Sequence, residues 1–250
     1  MRVKNFSLQH TLDSGQFFRY KKKGEWYYCK ERDKEFKIKQ KGNKLEFAGA
    51  DAKYIKRLFG LNCDYDKIIK ELSKDKKLLP AIKKYYGLRI MQRDPWETLI
   101  SFQCSIFSNI KKIKLNMNCM EKEFGKNFTG KLKDLEKIKK CATGFRAKYL
   151  YQANKMVNDK YFERLKKKTY QEAKKELMKL PGVGEKVADC VCLFALGKME
   201  AFPIDVWMAR VMKEMYNKEK NIQEFARKKW KHPGYAQQFL FHWRRHVNTS

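Results

Sequence analysis

Apolar and polar residues alternate along the N-terminal part of the chain before a helical period takes over. The segments at 36–38 and 45–47 alternate apolar with polar residues, which is typical of strands. Glycine and asparagine at 42–43 predict a two-residue hairpin turn between these segments. Aromatic residues at 17–18 and 26–28 indicate further strands upstream. We therefore expect a small antiparallel sheet with one covered face.

From Asp51 onward the apolar spacing is that of helices. Ile55 and Leu58 fit one helical face, and Asp94-Pro95 marks a helix start. Further helices are predicted at 109–123, 131–139, 145–158, 168–179, 185–196, 206–216 and 234–246.

This order of elements predicts the fold class. With 250 residues, of which 43% are hydrophobic, the chain is long enough to bury a substantial core. Sheet signals come first and helical signals follow, so we predict an α+β protein. The expected division is an N-terminal antiparallel sheet domain with short helices at 1–75 and a larger all-helical domain at 76–250.

The chain is strongly basic. Its 58 Lys and Arg residues against 28 Asp and Glu residues give a net charge of +30 at pH 7. The basic residues run from Lys4 to Arg245, so the charge is not confined to a tail. Nucleic acid is the natural partner, because neutralising phosphates releases counterions. A lysine-rich solvated surface could account for part of the excess, and no long basic amphipathic helix indicates a membrane surface.

Cysteine usage and the N-terminus bear on the compartment. The seven cysteines are odd in number and scattered, which favours reduced thiols and gives no zinc or iron–sulfur pattern. The segment MRVKNFSLQH lacks the apolar run of a signal peptide. We expect a cytoplasmic protein associated with DNA.

The segment LPGVGEKVADC at 180–190 predicts two helices joined by a tight glycine-rich turn. Pro181 ends the first helix, and Gly182 and Gly184 permit backbone angles closed to other residues. Unpaired N–H groups at the start of the second helix form an anion site suited to a phosphate. A helix-hairpin-helix that binds nucleic acid is favoured, and a plain helical corner is the alternative.

A lysine and an aspartate are candidates for one shared pocket. An amine is a nucleophile only when it is neutral, and burial or nearby positive charge raises the neutral fraction. Lys186 lies at a helix N-terminus, which supplies positive potential. The helix at 185–196 carries the chain about 17 Å. The residues at 197–205 span up to roughly 30 Å, enough to bring Asp205 back beside Lys186. A phosphate-binding lysine and a helix-capping aspartate are the alternatives.

LPGVGEKVADC followed by FPIDVW resembles the signature of the helix-hairpin-helix base-excision DNA glycosylase superfamily, with the best match to 8-oxoguanine DNA glycosylases. The resemblance extends over most of the chain, through SGQFFRY at 14–20, ISFQCS at 100–105, TGFRAKYL at 143–150 and GYAQQFLF at 234–241. It implies that the helical domain is a glycosylase domain.

The resemblance also implies roles for individual residues. Lys186 would attack C1′ of the damaged nucleotide, expel the base and hold the sugar as a Schiff base, from which β-elimination nicks the strand. Asp205 would stabilise the positive charge that develops on the sugar. The base pocket would be formed by the Gly15 carbonyl, Gln237, Phe241 and Cys190, and the hairpin residues Gly182, Val183 and Gly184 would hold the DNA backbone.

The segment after ISFQCS departs from the family pattern. Phe107 and Asn109 lie where eukaryotic members carry an asparagine run that reads the opposite cytosine, and Lys112 replaces an arginine. Arg146 matches an opposite-base arginine, and Phe145 replaces a wedging tyrosine. Because lysine lacks the bidentate fork of arginine, we expect a relaxed preference for the opposite base. Trp207 also replaces a phosphate-binding histidine, which puts that contact in doubt.

Two other functions stay open at this stage. One is a superfamily member that excises another lesion, such as an oxidised pyrimidine or an alkylated base. The other is a non-catalytic DNA-binding module, although such a module has no need of Lys186 and Asp205 together. The expected partner is double-stranded DNA containing 8-oxoguanine, bound by a monomer. No cofactor and no metal are expected, and the resemblance allows a monovalent cation on the hairpin carbonyls.

Overall fold

The computed structural model describes residues 1–247, and its N-terminal part contains a four-stranded antiparallel sheet. Neighbouring strands in the sheet are neighbours in the chain. They are β1 (Tyr20–Lys23), β2 (Trp26–Glu31), β3 (Lys34–Lys41) and β4 (Lys44–Ala48). Lys41 pairs with Lys44 across the turn at 42–43, so the predicted hairpin is confirmed. Ile38 and Leu45 are fully buried on the covered face.

Helices account for most of the remaining chain within residues 1–247. In chain order they are α1 (Leu8–Asp13), α2 (Ala52–Leu58), α3 (Tyr65–Leu72), α4 (Leu79–Lys84), α5 (Pro95–Gln103), α6 (Ile110–Phe124), α7 (Leu135–Lys140), α8 (Arg146–Met156), α9 (Asp159–Lys167), α10 (Tyr170–Leu177), α11 (Glu185–Phe194), α12 (Val206–Tyr216), α13 (Ile222–Lys229) and α14 (Pro233–Val247). The predicted α+β class is confirmed.

Three local predictions were wrong. The helix predicted from residue 131 begins at Leu135, because the Asp134 carboxylate caps it by accepting the Lys137 N–H at 3.0 Å. The helices α1, α4, α9 and α13 were not predicted, since α1 and α4 have only six residues each and the apolar stripes of α9 and α13 are short and surrounded by charged residues. The aromatic pair at 17–18 precedes β1 and is not part of a strand.

The buried apolar side chains form two clusters. The smaller one joins the sheet to α1 and α2, and the larger one fills the helical part. Phe17 belongs to the smaller cluster and Phe18 to the larger, so these neighbours connect the two. Tyr65 and Leu72 of α3 pack in the larger cluster, although α3 precedes the predicted domain boundary at residue 75. That boundary stays a prediction.

Buried charges join the two parts of the molecule. Arg19 Nη1 lies 2.8 Å from Glu97 Oε2, and Arg93 contacts Glu97 Oε1 at 3.4 Å and Glu31 Oε1 at 3.5 Å. All four side chains are almost completely buried, and removing one partner would leave another charge uncompensated. This network fixes the sheet against the N-terminal end of α5.

Cysteine pairing differs from the sequence-based expectation. Cys119 of α6 and Cys141 after α7 form a disulfide, so the expectation of reduced thiols is wrong for this pair. The other cysteines are free. Within residues 1–247, no cluster of three or more His, Cys, Asp or Glu side chains could hold a metal ion. In the same residues, no helix combines the length and apolarity needed to cross a bilayer.

Candidate active site

The turn between α10 and α11 is held rigidly by its neighbours. Gly182 has φ +71°, and a Cβ added there would lie 2.4 Å from the Tyr149 ring. From α5, Gln103 Nε2 donates to the Pro181 carbonyl at 2.8 Å. Both constraints fix the turn relative to α5 and α8.

The turn presents free backbone donors at the start of α11. Within residues 1–247, the N–H groups of Gly182, Gly184 and Glu185 donate to no acceptor. The Val183 N–H already donates to the Leu180 carbonyl at 3.1 Å and the Val183 side chain is buried, so only the carbonyl of this residue is left to contact a ligand. The glycines can therefore bind an anion, while Val183 stabilises the turn.

Replacing Gly182 with alanine is expected to destabilise the fold by at least about 1–2 kcal/mol, because an L-residue is strained at this φ and collides with Tyr149. The Gly184→Ala variant is the matched control. At Gly184 the space around a Cβ is open and φ is −85°, so we expect a loss of only about 0.5 kcal/mol. Urea unfolding of both variants measures the difference, and equal losses would contradict this account of the turn.

Lys186 lies in the first turn of α11 and points toward α5. Its Nζ donates to Ser105 Oγ at 2.6 Å, and Ser105 Oγ in turn donates to the Phe102 carbonyl at 2.6 Å. The amine also lies 5.2 Å from the centroid of the Phe102 ring. The side chain is half-buried, so the amine is held in place and still accessible from solvent.

Asp205 is the N-cap of α12. Its Oδ1 accepts the Met208 N–H at 2.9 Å. Among the described residues, Asp205 and Lys186 form no ion pair within 4.0 Å. Both nevertheless act on the Cys190 thiol: burial raises its pKa to about 12, the Lys186 charge opposes the rise and the Asp205 charge adds to it. Lys186 and Asp205 therefore both lie within electrostatic range of Cys190, and their shared pocket stays a prediction.

The SGQ segment is packed against α14. Gly15 has φ +82°, and a Cβ there would lie 3.1 Å from Phe241 Cε1. Gln16 Nε2 donates to Ser14 Oγ at 2.9 Å, and Gln238 Nε2 donates to the Ser14 carbonyl at 2.8 Å. No hydrogen bond from within residues 1–247 ends on the Gly15 carbonyl oxygen. That oxygen is a free acceptor beside an aromatic ring.

Gln237 and Phe241 lie one turn apart on α14, and Gln237 is 4% exposed. Its Oε1 is buried and has no hydrogen-bond partner in the described chain. An unpaired buried amide oxygen costs about 1–3 kcal/mol, which a ligand donor can recover. Together with Gly15, these residues can bind a planar polar ring.

Comparison with known proteins identifies the family. The sequence description "8-oxoguanine DNA glycosylase, N-terminal domain" matches residues 1–99. The 8-oxoguanine glycosylase/lyase of Clostridium acetobutylicum, solved with duplex DNA carrying cytosine opposite 8-oxoguanine, is 30% identical. Its structure superposes with a TM-score of 0.91, over 98% of this chain and 94% of that one. The chain belongs to the 8-oxoguanine DNA glycosylase family.

Other family members agree. MBOgg1, solved with a low-affinity DNA ligand, is 32% identical with a TM-score of 0.91, over 99% of this chain and 95% of that one. The N-glycosylase/DNA lyase of Saccharomyces cerevisiae is 35% identical over 159 residues, which are 52% of this chain. The match covers 42% of the yeast enzyme, so the chain spans less than half the length of that relative.

An exposed aromatic pair follows α5 and precedes α8 in this family member. Phe107 is 95% exposed with φ +45°, and its ring centroid lies 6.5 Å from that of Phe145, which is also exposed. Exposed aromatic side chains are available to stack on a partner. Their role as a wedge stays a prediction.

The other predicted opposite-base residues have structural partners of their own. Arg146 is buried, donating to the Ile106 carbonyl at 2.6 Å and, through Nε, to the Thr143 carbonyl at 2.9 Å. Asn109 Oδ1 caps α6 by accepting the Lys112 N–H at 2.9 Å. These two side chains thus hold the loop that carries Phe107. Their contact with an opposite base stays a prediction.

Three functional groups near the site were not predicted from the sequence. Ser105 lies within the quoted ISFQCS motif, but its contact with Lys186 depends on packing between α5 and α11. Asp189 of α11 is buried against α10, where Tyr170 donates to it at 2.7 Å and Lys174 lies 3.3 Å away. Arg245 borders Gly15 and Phe241. The sequence carries no local signal for any of these contacts.

Proposed function

We propose that this enzyme excises 8-oxoguanine from duplex DNA and then nicks the strand. The observation that carries the proposal is the Lys186 amine at the start of α11, which Ser105 Oγ holds at 2.6 Å next to the free N–H groups of the hairpin. A glycosylase that also cleaves the strand needs an amine, because only an amine forms an imine with the opened sugar.

The reaction follows from these positions. The neutral Lys186 amine forms a bond to C1′ as the C1′–N9 bond breaks; the departing base takes the electron pair, and it takes a proton from the ammonium that the new bond creates. The Asp205 carboxylate stabilises the positive charge that develops on the sugar. Loss of the proton from nitrogen and opening of the sugar ring give the Schiff base. Removal of a C2′ proton then breaks the C3′–O bond and nicks the strand.

Lesion recognition requires the nucleotide to leave the helix, because C1′ is not accessible inside the stack. In the pocket, the Gly15 carbonyl accepts a hydrogen bond from N7–H, which 8-oxoguanine has and guanine lacks. Guanine presents an acceptor at N7, so its N7 lone pair and the lone pair of the Gly15 carbonyl oxygen repel each other. Phe241 and Cys190 enclose the base faces, and Gln237 reads the pairing edge.

A single-turnover excision assay tests the lesion class. Duplexes would carry 8-oxoguanine, an oxidised pyrimidine, an alkylated purine or undamaged guanine at one position. We expect cleavage of the 8-oxoguanine duplex well above the others. Faster cleavage of a pyrimidine or alkylated lesion would assign the pocket to another substrate, and binding without any cleavage would favour a non-catalytic module.

We further propose a relaxed preference for the base opposite the lesion. Phe107 can fill the gap by stacking but cannot hydrogen-bond cytosine, and Lys112 lacks a bidentate fork. Excision rates with cytosine, adenine, guanine and thymine opposite 8-oxoguanine should differ by less than about tenfold, since a bidentate contact worth about 1–3 kcal/mol is missing. Lys112→Arg should increase the cytosine preference, and a strong preference in the unmodified enzyme would contradict the proposal.

The proposed chemistry needs no redox or metal cofactor, because Lys186 supplies the nucleophile. Carbonyl oxygens at the hairpin suit a monovalent cation better than a transition metal, which favours nitrogen and sulfur ligands. The Val183 carbonyl accepts no hydrogen bond within residues 1–247, whereas the Pro181 carbonyl is used by Gln103. Such an ion would support the turn that contacts the DNA backbone.

We propose that the enzyme acts as a monomer on double-stranded DNA in the cytoplasm. The net charge of +30 supports this partner. DNA affinity should fall steeply with salt, because each neutralised phosphate releases a counterion.

A further inference from the structure

Arg245 forms part of the pocket wall one turn after Phe241 on α14. Its guanidinium centre lies 5.4 Å from the centroid of the Phe241 ring. A Cβ added to Gly15 would lie 3.2 Å from Arg245 Nη1. The guanidinium therefore borders both the stacking surface and the glycine whose carbonyl is free.

The donor capacity of Arg245 is mostly unused. Within the described chain, its one hydrogen bond is a long contact of 3.5 Å from Nη1 to the Asp13 carbonyl. A guanidinium carries five N–H donors in a fixed plane. A half-buried arginine with most of these donors unpaired is suited to bind an acceptor that enters the pocket.

Several charged groups act on Arg245. Burial lowers the pKa of Arg245. Tyr20, Asp205 and Asp13 act in the opposite direction and raise it. Lys114 of α6 also faces it, because the Arg245 charge contributes to the lowered pKa of Lys114. Arginine stays protonated at neutral pH in spite of such shifts. Its charge thus acts on the same space as the Asp205 carboxylate.

The order of residues along α14 indicates which edge of a base Arg245 meets. Gln237, Phe241 and Arg245 are spaced four residues apart on one helical face and extend over about 12 Å. With Gln237 at the pairing edge and Phe241 on the ring face, Arg245 lies at the opposite edge. In a purine, that edge carries N7 and C8.

We propose that Arg245 donates a hydrogen bond to O8 of the flipped base, beside the Gly15 carbonyl that accepts N7–H. The two protein groups form an acceptor–donor pair that complements the N7–H and C8=O groups of an 8-oxopurine. Guanine, with a lone pair at N7 and a hydrogen at C8, fails both contacts. This inference rests on the proposed function and adds a second specificity-determining residue to it.

The test measures DNA affinity in full-length enzyme carrying Lys186→Gln, so that binding is separated from chemistry. Arg245→Met is added, and dissociation constants are determined for duplexes with 8-oxoguanine, 8-thioguanine, guanine or a tetrahydrofuran abasic analogue. In 8-thioguanine, sulfur replaces O8 as a much weaker acceptor, while N7–H, O6 and the pairing edge are kept. We expect Arg245→Met to weaken 8-oxoguanine binding roughly 10- to 100-fold, as a charge-assisted hydrogen bond implies.

The comparison among duplexes decides the result. If Arg245 binds O8, the preference for 8-oxoguanine over 8-thioguanine should shrink in Arg245→Met, while abasic binding stays nearly unchanged. An equal loss on both modified guanines would mean that Arg245 contacts another atom of the base. An equal loss on the abasic duplex would mean that it contacts the backbone, and no loss would mean that it only packs on Phe241. Each of these three results overturns the proposal.

Two controls complete the experiment. Arg244→Met removes a neighbouring arginine that pairs with Glu214 at 3.0 Å, so it reports the loss of one positive charge from α14 at a position not assigned to the pocket. Thermal unfolding of each variant shows whether Arg245→Met still folds, and Arg245→Lys provides a variant that keeps the charge without the planar fork. If the Lys186→Gln parent does not prefer 8-oxoguanine over guanine, the proposed function itself fails. If only the Arg245 effect is missing, the inference fails alone.

Discussion

Replacing Lys186 with glutamine is expected to abolish both strand nicking and the covalent adduct that borohydride traps on a duplex with 8-oxoguanine. Glutamine is of similar length but has no nucleophilic amine, so neither the bond to C1′ nor the imine can form. The loss of excision should be on the order of 10⁴-fold or more, as for other covalent nucleophiles. Gel analysis of the reduced complex measures the adduct directly.

A nearby lysine provides the matched control. Lys179 lies just before the same turn and is exposed, and it pairs with Glu176 at 2.8 Å. Lys179→Gln removes the same charge without touching the pocket, so trapping should persist with at most a modest loss of DNA affinity. An adduct that survives in Lys186→Gln would assign the nucleophile to another amine.

The second large effect is expected at Asp205, where two roles of one carboxylate can be separated. Asparagine is as good an N-cap as aspartate, so Asp205→Asn should keep the hydrogen bond from the Met208 N–H and the stability of α12. It removes the negative charge that stabilises the sugar cation. Excision should therefore fall roughly 10²–10³-fold, the usual effect of losing one electrostatic stabiliser of a transition state.

Asp205→Ala removes both the charge and the cap. Its excision rate should match that of Asp205→Asn, while the free energy of unfolding drops by about a further 1 kcal/mol. Single-turnover excision and urea unfolding of both variants separate these effects. If Asp205→Asn retained full activity and only Asp205→Ala lost it, Asp205 would serve as a cap alone.

Much of the fold could be predicted because its signals are local. The Gly-Asn turn at 42–43 sets the register of its hairpin, and α12 was predicted at its observed ends, 206–216, because Asp205 marks the cap. Short, highly charged helices such as α9 carry too few apolar residues to be recognised. The pair at 17–18 looked like a strand because its aromatic residues favour strands, yet each ring packs into a different core.

Much of the candidate site could also be anticipated, though not how it is held together. Lys186 and Asp205 could be paired by chain reach and by resemblance. The free N–H groups of the hairpin followed from its glycines, but the use of the Val183 N–H inside the turn did not. Arg146 resembles an opposite-base residue in sequence, whereas in the fold its guanidinium holds the Ile106 carbonyl.

The sequence by itself determined the α+β class, the hairpin and the family, since each depends on residue type and short-range spacing, and it named Lys186 and Asp205 as the candidate amine and carboxylate. Only the tertiary structure decided that Ser105 holds the Lys186 amine, that Gln103 fixes the turn and that Arg245 borders Gly15. These contacts join residues more than 70 positions apart. They exist because packed helices bring distant side chains together, and no local pattern encodes which ones meet.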